Sequence, residues 1–519
     1  MRKSAVEESV QIQDSSKAVR PTLRGVVLAL IVLLGGALTA FAWIVSSPSG
    51  GGPDDDQHQT SIWCPSPGSA SCQIVGRGDA FGDPNHPMVM VPARVMQVAC
   101  FVFRSEVSAA CLNDVPADAG ADSLAVNTGR YPGTYYRVMH IFATGSYAEL
   151  DTMNLLVRSA NAFIAALFFG VLAWLLPWSM KRLLAYVMVG FSVPLVIYFI
   201  ASINPSAWAF IGVPAAWFAM TGLFATRFDG TARWRRRALA VVAVAGTLLA
   251  AAARTDAAAY CVVAVLAVGA MHLPDMRPAK WRGIRLIWAT MLAVTVVGII
   301  GTFSGSQTTG LVGMDGNSAG DLRLLLYNIT ALPQLISGFG AGQLGWLDVP
   351  MKPMTTVLSL MVAGGLLFGG LRRMSWTKTL AAGGVSFVLI AVPLFALQMS
   401  SYEVGQGVQQ RYLVPPALIL AGVVLSRRKR DGAPALSLTQ TVISYVFLVL
   451  AQSWALHELI RRYVVGTDGP ELDLNKQIEW WRAGIPSPNA VWLIGSVGFA
   501  LLAMVLFLVR RRAAVGGHR

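Results

Sequence analysis

The chain has 519 residues, of which 55% are hydrophobic and only 13% charged, with a mean hydropathy of +0.56. A soluble chain of this length carries about 25% charged residues, so the composition excludes an ordinary soluble domain. The formal net charge of +14 and the pI near 9.9 do not point to a nucleic-acid partner, because the basic residues sit at the ends of apolar stretches, where they act as topology anchors and contact anionic lipid headgroups.

A membrane-spanning helix needs roughly 20 apolar residues. Twelve stretches meet or approach this: 25–46, 154–177, 183–202, 206–225, 238–253, 256–271, 286–303, 354–371, 379–398, 412–426, 437–457 and 489–509. The expected fold is an all-α polytopic membrane protein of about 12 spans. It has a cytoplasmic tail at 1–24, one membrane domain over 25–509 and a basic tail at 510–519. A further apolar stretch, 324–340, is interrupted by Pro333 and Gly338 and reads as a re-entrant or interfacial segment. With the N-terminus in the cytoplasm, 27 of the 41 Lys and Arg and only six acids fall on inner loops; the outer side holds 14 bases and 21 acids. The positive-inside rule therefore places both termini in the cytoplasm. The first apolar run is long for a signal peptide and has no small-x-small cleavage site after it, so it reads as a retained anchor.

The outer face carries three large segments, near 47–153, 304–353 and 458–488. The first opens with Ser47-Pro-Ser-Gly-Gly-Gly-Pro53, which reads as a flexible run, then Asp54, Asp55, Asp56 and His58. Its apolar piece from Pro87 to Phe103 is too short to span and reads as an interfacial helix. Four of the five cysteines, Cys64, Cys72, Cys100 and Cys111, lie in this loop. In an oxidising compartment they favour two disulfides over a four-cysteine zinc site; the local pairing is Cys64–Cys72 with Cys100–Cys111, and three connectivities are open. No inner loop is large enough for a nucleotide-binding domain. There is no GxxxxGK[ST] motif and no evident internal repeat.

Candidate chemistry gathers on the outer side. Asp54, Asp55 and Asp56 stand close to the first span, and seven intervening residues reach at most about 25 Å. Carboxylates there can take a proton from a hydroxyl, and would also suit a divalent metal; the alternative is a solvated acidic linker. His58 is placed to orient Asp55 or Asp56. Tyr131, Tyr135 and Tyr136, with Arg130 and Arg137, suit a sugar face and a phosphate. Arg158 and Asn161 share one face at the outer end of the second span, and ionisable groups in spans usually face the bundle interior. Arg254, with Thr255 and Asp256, fills the tight connection between the fifth and sixth spans. Arg411 opens the tenth span and is placed to meet a lipid phosphate. Asn204-Pro205 reads as a turn. Trp480, Trp481 and Arg482 suit the headgroup level.

Several motifs recur together in a known order. They are Pro53-Asp-Asp-Asp-Gln-His58 followed by Ser61-Ile-Trp-Cys64, the Cys100/Cys111 pair, Gly129-Arg-Tyr-Pro-Gly-Thr-Tyr-Tyr136, Ser202-Ile-Asn-Pro205, Gly345-Trp-Leu-Asp348 and Val408-Gln-Gln-Arg-Tyr412. Over 25–510 the chain resembles the bacterial predicted-membrane-protein family called domain of unknown function 2142, in its actinobacterial form. It departs from that pattern at Gly133-Thr134, where Leu preceded by Pro is usual, at Gln410, where Gly is usual, and at Gln57 and Gln59. The family carries no assigned reaction. Its layout is similar to that of GT-C membrane glycosyltransferases, which use sugars carried on polyprenyl phosphate; that similarity is an analogy of architecture. It implies a carboxylate base among Asp54 to Asp56, with Asp55 or Asp56 ahead because His58 is placed to orient them, cationic contacts from Arg158, Arg254 and Arg411, and substrate contacts from Tyr135, Tyr136, Trp346 and Asp348. The expected partners are membrane lipids, a polyprenyl-phosphate-linked sugar and a cell-envelope acceptor. A lipid-linked-sugar flippase and a non-catalytic envelope assembly factor are the alternatives.

Overall fold

The computed structural model describes residues 23–69, 72–80, 83–124, 131–143, 145–227, 232–276, 284–305, 321–337, 344–372, 374–427, 433 and 435–515. Residues 1–22, Asn127 to Arg130, much of the segment 304–353 and several basic loops lie outside the described residues.

The helices run in chain order as α1 (Leu23–Val45), α2 (Asp55–Trp63), α3 (Ala93–Gln97), α4 (Thr134–Met139), α5 (Leu150–Leu175), α6 (Trp178–Gly190), α7 (Pro194–Ile200), α8 (Ser206–Ala225) and α9 (Arg233–Ala253). They continue as α10 (Thr255–His272), α11 (Arg285–Thr302), α12 (Leu322–Ser337), α13 (Pro353–Leu371), α14 (Trp376–Met399), α15 (Val414–Leu425), α16 (Leu438–Val464), α17 (Pro488–Ala503) and α18 (Val505–Val515). Among the described residues nine helical segments are long and apolar enough to cross a membrane, and α6 with α7 makes a tenth if a bent pair counts as one span. The first and tenth expected spans are shorter apolar helices, Ala29–Val45 and Gln410–Leu425.

Three expectations need correction. The third span is not straight: α6 and α7 meet at 92°. Pro194 starts α7 and cannot continue the ladder of α6. The eleventh span does not stop at 457 but runs to Val464, carrying Glu458, Arg461 and Arg462 inside the fold. Those charges are accommodated by partners, Arg461 by Glu458 at 3.5 Å and Arg462 by Asp348 at 2.7 Å. The piece from Pro87 to Phe103 is not one interfacial helix: residues 87–92 are strand, followed by the short α3 and a 3-10 turn at Val98–Cys100. Strands β1 (Ile74–Ala80), β2 (Asp83–Pro92) and β3 (Gly120–Leu124) form an antiparallel sheet in that order. The alternation Met88-Val89-Met90-Val91 has period two, which sends Val89 and Val91 inward. The stretch 324–340 does form the short apolar helix α12, which packs against α14.

At the centre of the bundle stands α8, buried along its whole length. Its closest neighbour is α9. A Cβ added to Gly212 would lie 2.3 Å from the backbone oxygen of Gly246. Small residues let two backbones approach this closely, which is how helices gain packing contacts where lipid removes the hydrophobic drive. The first long loop docks onto the same end of the bundle. Its core of Ile62, Val89, Val91, Tyr135 and Tyr136 is continuous with Ile203, Ala207 and Trp208 at the start of α8. Disulfides Cys64–Cys72 and Cys100–Cys111 close the loop with the local pairing.

Gly212→Ala tests this packing. The new methyl meets backbone that cannot swing aside, so we expect a loss of about 1–3 kcal/mol, read as a lower thermal midpoint of the detergent-purified protein. Gly364→Ala, whose added Cβ meets nothing within 4 Å, is expected to leave the midpoint unchanged.

Candidate functional site

The run Ser47–Pro53, which reads as flexible, is buried throughout, as is Ser46 before it. Burying a backbone carbonyl without a donor costs about 1–3 kcal/mol, and side chains from far along the chain supply the donors. Arg158 donates to Ile44, Ser47 and Pro48 at 3.0, 2.8 and 2.6 Å. Arg482 donates to Ser47 at 3.0 Å, Trp346 to Gly50 at 2.7 Å, and Asn204 to Pro53 at 3.2 Å. Tyr198 and Tyr463 both donate to Gly51, at 2.8 and 2.6 Å. Gly50 has φ +74, and a Cβ there would fall 2.2 Å from Val98 Cγ1, so only glycine suits it. The segment is a strap that holds the start of α2 in place.

At the end of the strap Asp54 takes the left-handed conformation, φ 62 and ψ 17, and caps α2 without a side-chain capping bond. Its carboxylate instead meets Arg411 Nη2 at 2.5 Å. Arg411 lies in the turn Gln410–Leu413 that leads into α15. The guanidinium of Arg411 lies 5.3 Å from the ring centroid of Tyr412 and that of Arg254 lies 4.6 Å from the same ring, cation–π distances that bring two cations onto one phenol. Arg254 also faces Tyr131 at 5.6 Å. Asp256 neutralises it through two bonds of 2.9 Å. Residues 54, 254 and 411, far apart in sequence, thus form one cluster at the loop-bearing end of the bundle. Asp54 is its open edge, one-third exposed, while the Arg411 side chain is 1% exposed.

His58 does not orient Asp55 or Asp56. The turn of α2 sends it to Asn204 and Tyr136, with Nε2 3.0 Å from Asn204 Nδ2 and Nδ1 2.9 Å from Tyr136 Oη. Asn204 Oδ1 accepts from Ser206 N and its Nδ2 donates to Pro53, which sets the amide orientation. His58 Nε2 therefore accepts, and the ring proton sits on Nδ1 and is donated to Tyr136. Burial drives the imidazole down to about 3, so His58 stays neutral and acts as a fixed strut. Burial also pushes the Asp55 carboxyl up to about 7 despite Arg158 and the bond it accepts from Gly52 N–H at 2.7 Å. Asp56 is raised by burial as well. Asp54 goes the other way: burial raises it, but the charge and hydrogen bond of Arg411 prevail and hold it below the usual carboxylate value. Of the three acids, Asp54 is ionised and faces the cations, and Asp55 is turned back into the strap.

Residues 38–420 match the model of the family described as predicted membrane protein, DUF2142. The chain belongs to the DUF2142 family. No curated protein and no solved structure matches it. The matched region of this DUF2142 protein runs from α1 into α15 and contains the strap, Asp54, Arg254 and Arg411; the 25–510 resemblance extends beyond it at both ends.

The other expected site residues of the DUF2142 chain fall in two groups. Tyr135 and Tyr136 lie beside the cluster but are buried: Tyr135 donates to Ile203 O at 2.6 Å and accepts from Asn161 at 3.2 Å. Arg158, Trp346 and Asp348 serve the strap and its surroundings, with Asp348 held by Arg462, which also donates to Val107 and Phe101. Reading the sequence missed Tyr198, Tyr463 and Arg462, and took Asn204 for a turn residue only. Asn204 carried a signal in its Ser-Ile-Asn-Pro motif; buried tyrosines late in apolar helices carried none. Among the described residues no group of three or more His, Cys, Asp or Glu is placed to hold a metal ion. A groove of about 500 Å³ lined by Ser453, Trp492 and Leu493, and a small cavity beside Ser49, Arg94 and Asp151, lie apart from Asp54 and Arg411.

The Asp55 environment gives a signed pH dependence. Its folded value near 7 exceeds the unfolded 3.8, so the folded state keeps a proton that the unfolded state releases. Its stabilising effect is complete below about pH 4 and declines as pH rises toward 7, by about 4 kcal/mol. Asp55→Asn keeps the acceptor for Gly52 N–H and removes the titration. The variant is expected to gain stability over the wild type as pH rises from 4 to 7, read as the difference in thermal midpoints; a constant difference would refute the assignment.

Proposed function

We propose that this protein transfers a sugar from a polyprenyl-phosphate donor to a cell-envelope acceptor, on the side of the membrane that carries residues 47–153. The observation that carries this reading is the meeting of a partly exposed carboxylate, Asp54, with two buried guanidinium groups, Arg411 and Arg254, at the ends of apolar helices. A phosphate on an isoprenoid chain sits at that depth. The positive-inside rule makes this side extracytoplasmic and both termini cytoplasmic in a bacterial plasma membrane, since the basic clusters of the inner loops belong to the opposite helix ends.

The chemistry follows from the groups. The acceptor hydroxyl oxygen attacks the anomeric carbon while the bond from that carbon to the phosphate oxygen breaks. The electron pair of that bond leaves with polyprenyl phosphate, whose charge Arg411 stabilises. The hydroxyl proton passes to a carboxylate, for which Asp54 is best placed. A single displacement inverts the anomeric centre.

The test is transfer from a synthetic polyprenyl-phosphate sugar in proteoliposomes. Asp54→Asn and Arg411→Gln are each expected to lower turnover by about 100-fold or more, read per folded protein, because removing one partner of the pair also costs stability. Full turnover in Asp54→Asn would eliminate the proposal. Movement of the donor across the bilayer without transfer would favour a flippase instead.

A further inference from the structure

The two arginines of the cluster are not equivalent. Arg254 is saturated, with Nε and Nη2 on the two oxygens of Asp256 at 2.9 Å and Nη1 3.5 Å from Ser206 Oγ. Arg411 is held end-on: only Nη2 reaches Asp54, at 2.5 Å, with Tyr412 Oη at 3.3 Å, and its buried Nε and Nη1 have no acceptor among the described residues. A guanidinium presents parallel N–H groups that suit two oxygens of one oxyanion, and an unpaired buried donor carries a desolvation cost. An incoming phosphate oxyanion can satisfy donors that Asp54 leaves empty.

Asp54 is suited to give way. Among the described residues its side chain makes no bond other than that to Arg411 and no cap bond to its own helix. It is one-third exposed, so water can receive it, and its backbone is already in the strained left-handed region.

Resting on the function proposed above, we infer that Asp54 is the resting counter-ion of Arg411 and that the donor's phosphate takes its place, so that binding the donor releases the carboxylate that then receives the acceptor's proton. The exchange is of ion pairs only. Arg411 trades one anion for another, and the freed Asp54, no longer paired with a cation, becomes a stronger base beside the bound phosphate. A carboxylate without a partner is thereby present only when a donor is.

The test is equilibrium binding of a polyprenyl monophosphate to the protein in nanodiscs, with inorganic phosphate and discs of phospholipid alone as separate arms. If Asp54 competes with the ligand, Asp54→Asn binds polyprenyl phosphate about fivefold more tightly than wild type, because a partly exposed ion pair no longer has to open first. Arg411→Gln loses binding in either background. Equal or weaker binding by Asp54→Asn overturns the exchange, as does absence of phosphate binding in both proteins. Tighter binding of inorganic phosphate or bulk phospholipid by Asp54→Asn, with no binding of polyprenyl phosphate, upholds the exchange and sinks the proposed donor. Should Asp54→Asn not fold, carbodiimide labelling of Asp54 in the wild type, read by peptide mass spectrometry, decides the matter. Labelling that rises when polyprenyl phosphate binds supports the exchange, and labelling that stays level or falls overturns it.

Discussion

The rest of the structure depends on hydrogen bonds donated to the buried strap. Residues 46–53 leave the first membrane helix and enter the protein interior as irregular backbone. Such backbone is tolerated at membrane depth only where protein groups satisfy it. Here the donors come from α5, α7, α16, the Asn204 turn, the second long loop and the third, through Arg158, Tyr198, Tyr463, Asn204, Trp346 and Arg482. Because those donors belong to so many elements, the strap ties the loop-bearing end of the bundle into one unit and sets where α2 begins.

That placement decides the electrostatics of the three consecutive aspartates. They share one sequence environment but not one physical environment. Asp55 folds back to Gly52 N–H in a buried pocket, where desolvation favours its proton. Asp54 stays ionised because Arg411 opposes the same desolvation. Groups of identical chemistry whose surroundings drive their proton affinities apart can divide roles. Here one acid is structural and another stands at the open edge of a cationic cluster. His58, neutral and doubly bonded, locks the helix that carries both.

Much of the architecture was legible in the chain. Apolar length identifies spans because lipid admits few other backbone solutions, and most expected stretches hold a helix, although the third is bent and the eleventh runs on to Val464. Cysteine spacing left three connectivities open, and the structure contains the local one. The acidic run, Arg254 and Arg411 were singled out from their position at span ends; of the acids only Asp54 meets the arginines, while Asp55 turns back to Gly52. The errors came where local composition misled. Gly and Pro in 47–53 suggested flexibility, yet glycine also permits tight burial of backbone. Apolar residues near Val89 suggested a helix on the bilayer, yet their period of two belonged to a strand. Arg158 looked like a ligand for an anion and is a brace for carbonyls, a distinction that no single-residue property conveys.

Composition and pattern by themselves determined that the chain is a polytopic α-helical membrane protein with one cysteine-bearing loop, since apolar length and charge asymmetry act locally along the chain. Only the tertiary structure decided which arginine meets which acid, which nitrogen of His58 carries the proton, and which aspartate faces outward. Those outcomes depend on distances between residues up to 357 positions apart, and hydrogen bonds and ion pairs act through space over a few ångströms, whatever the separation in sequence.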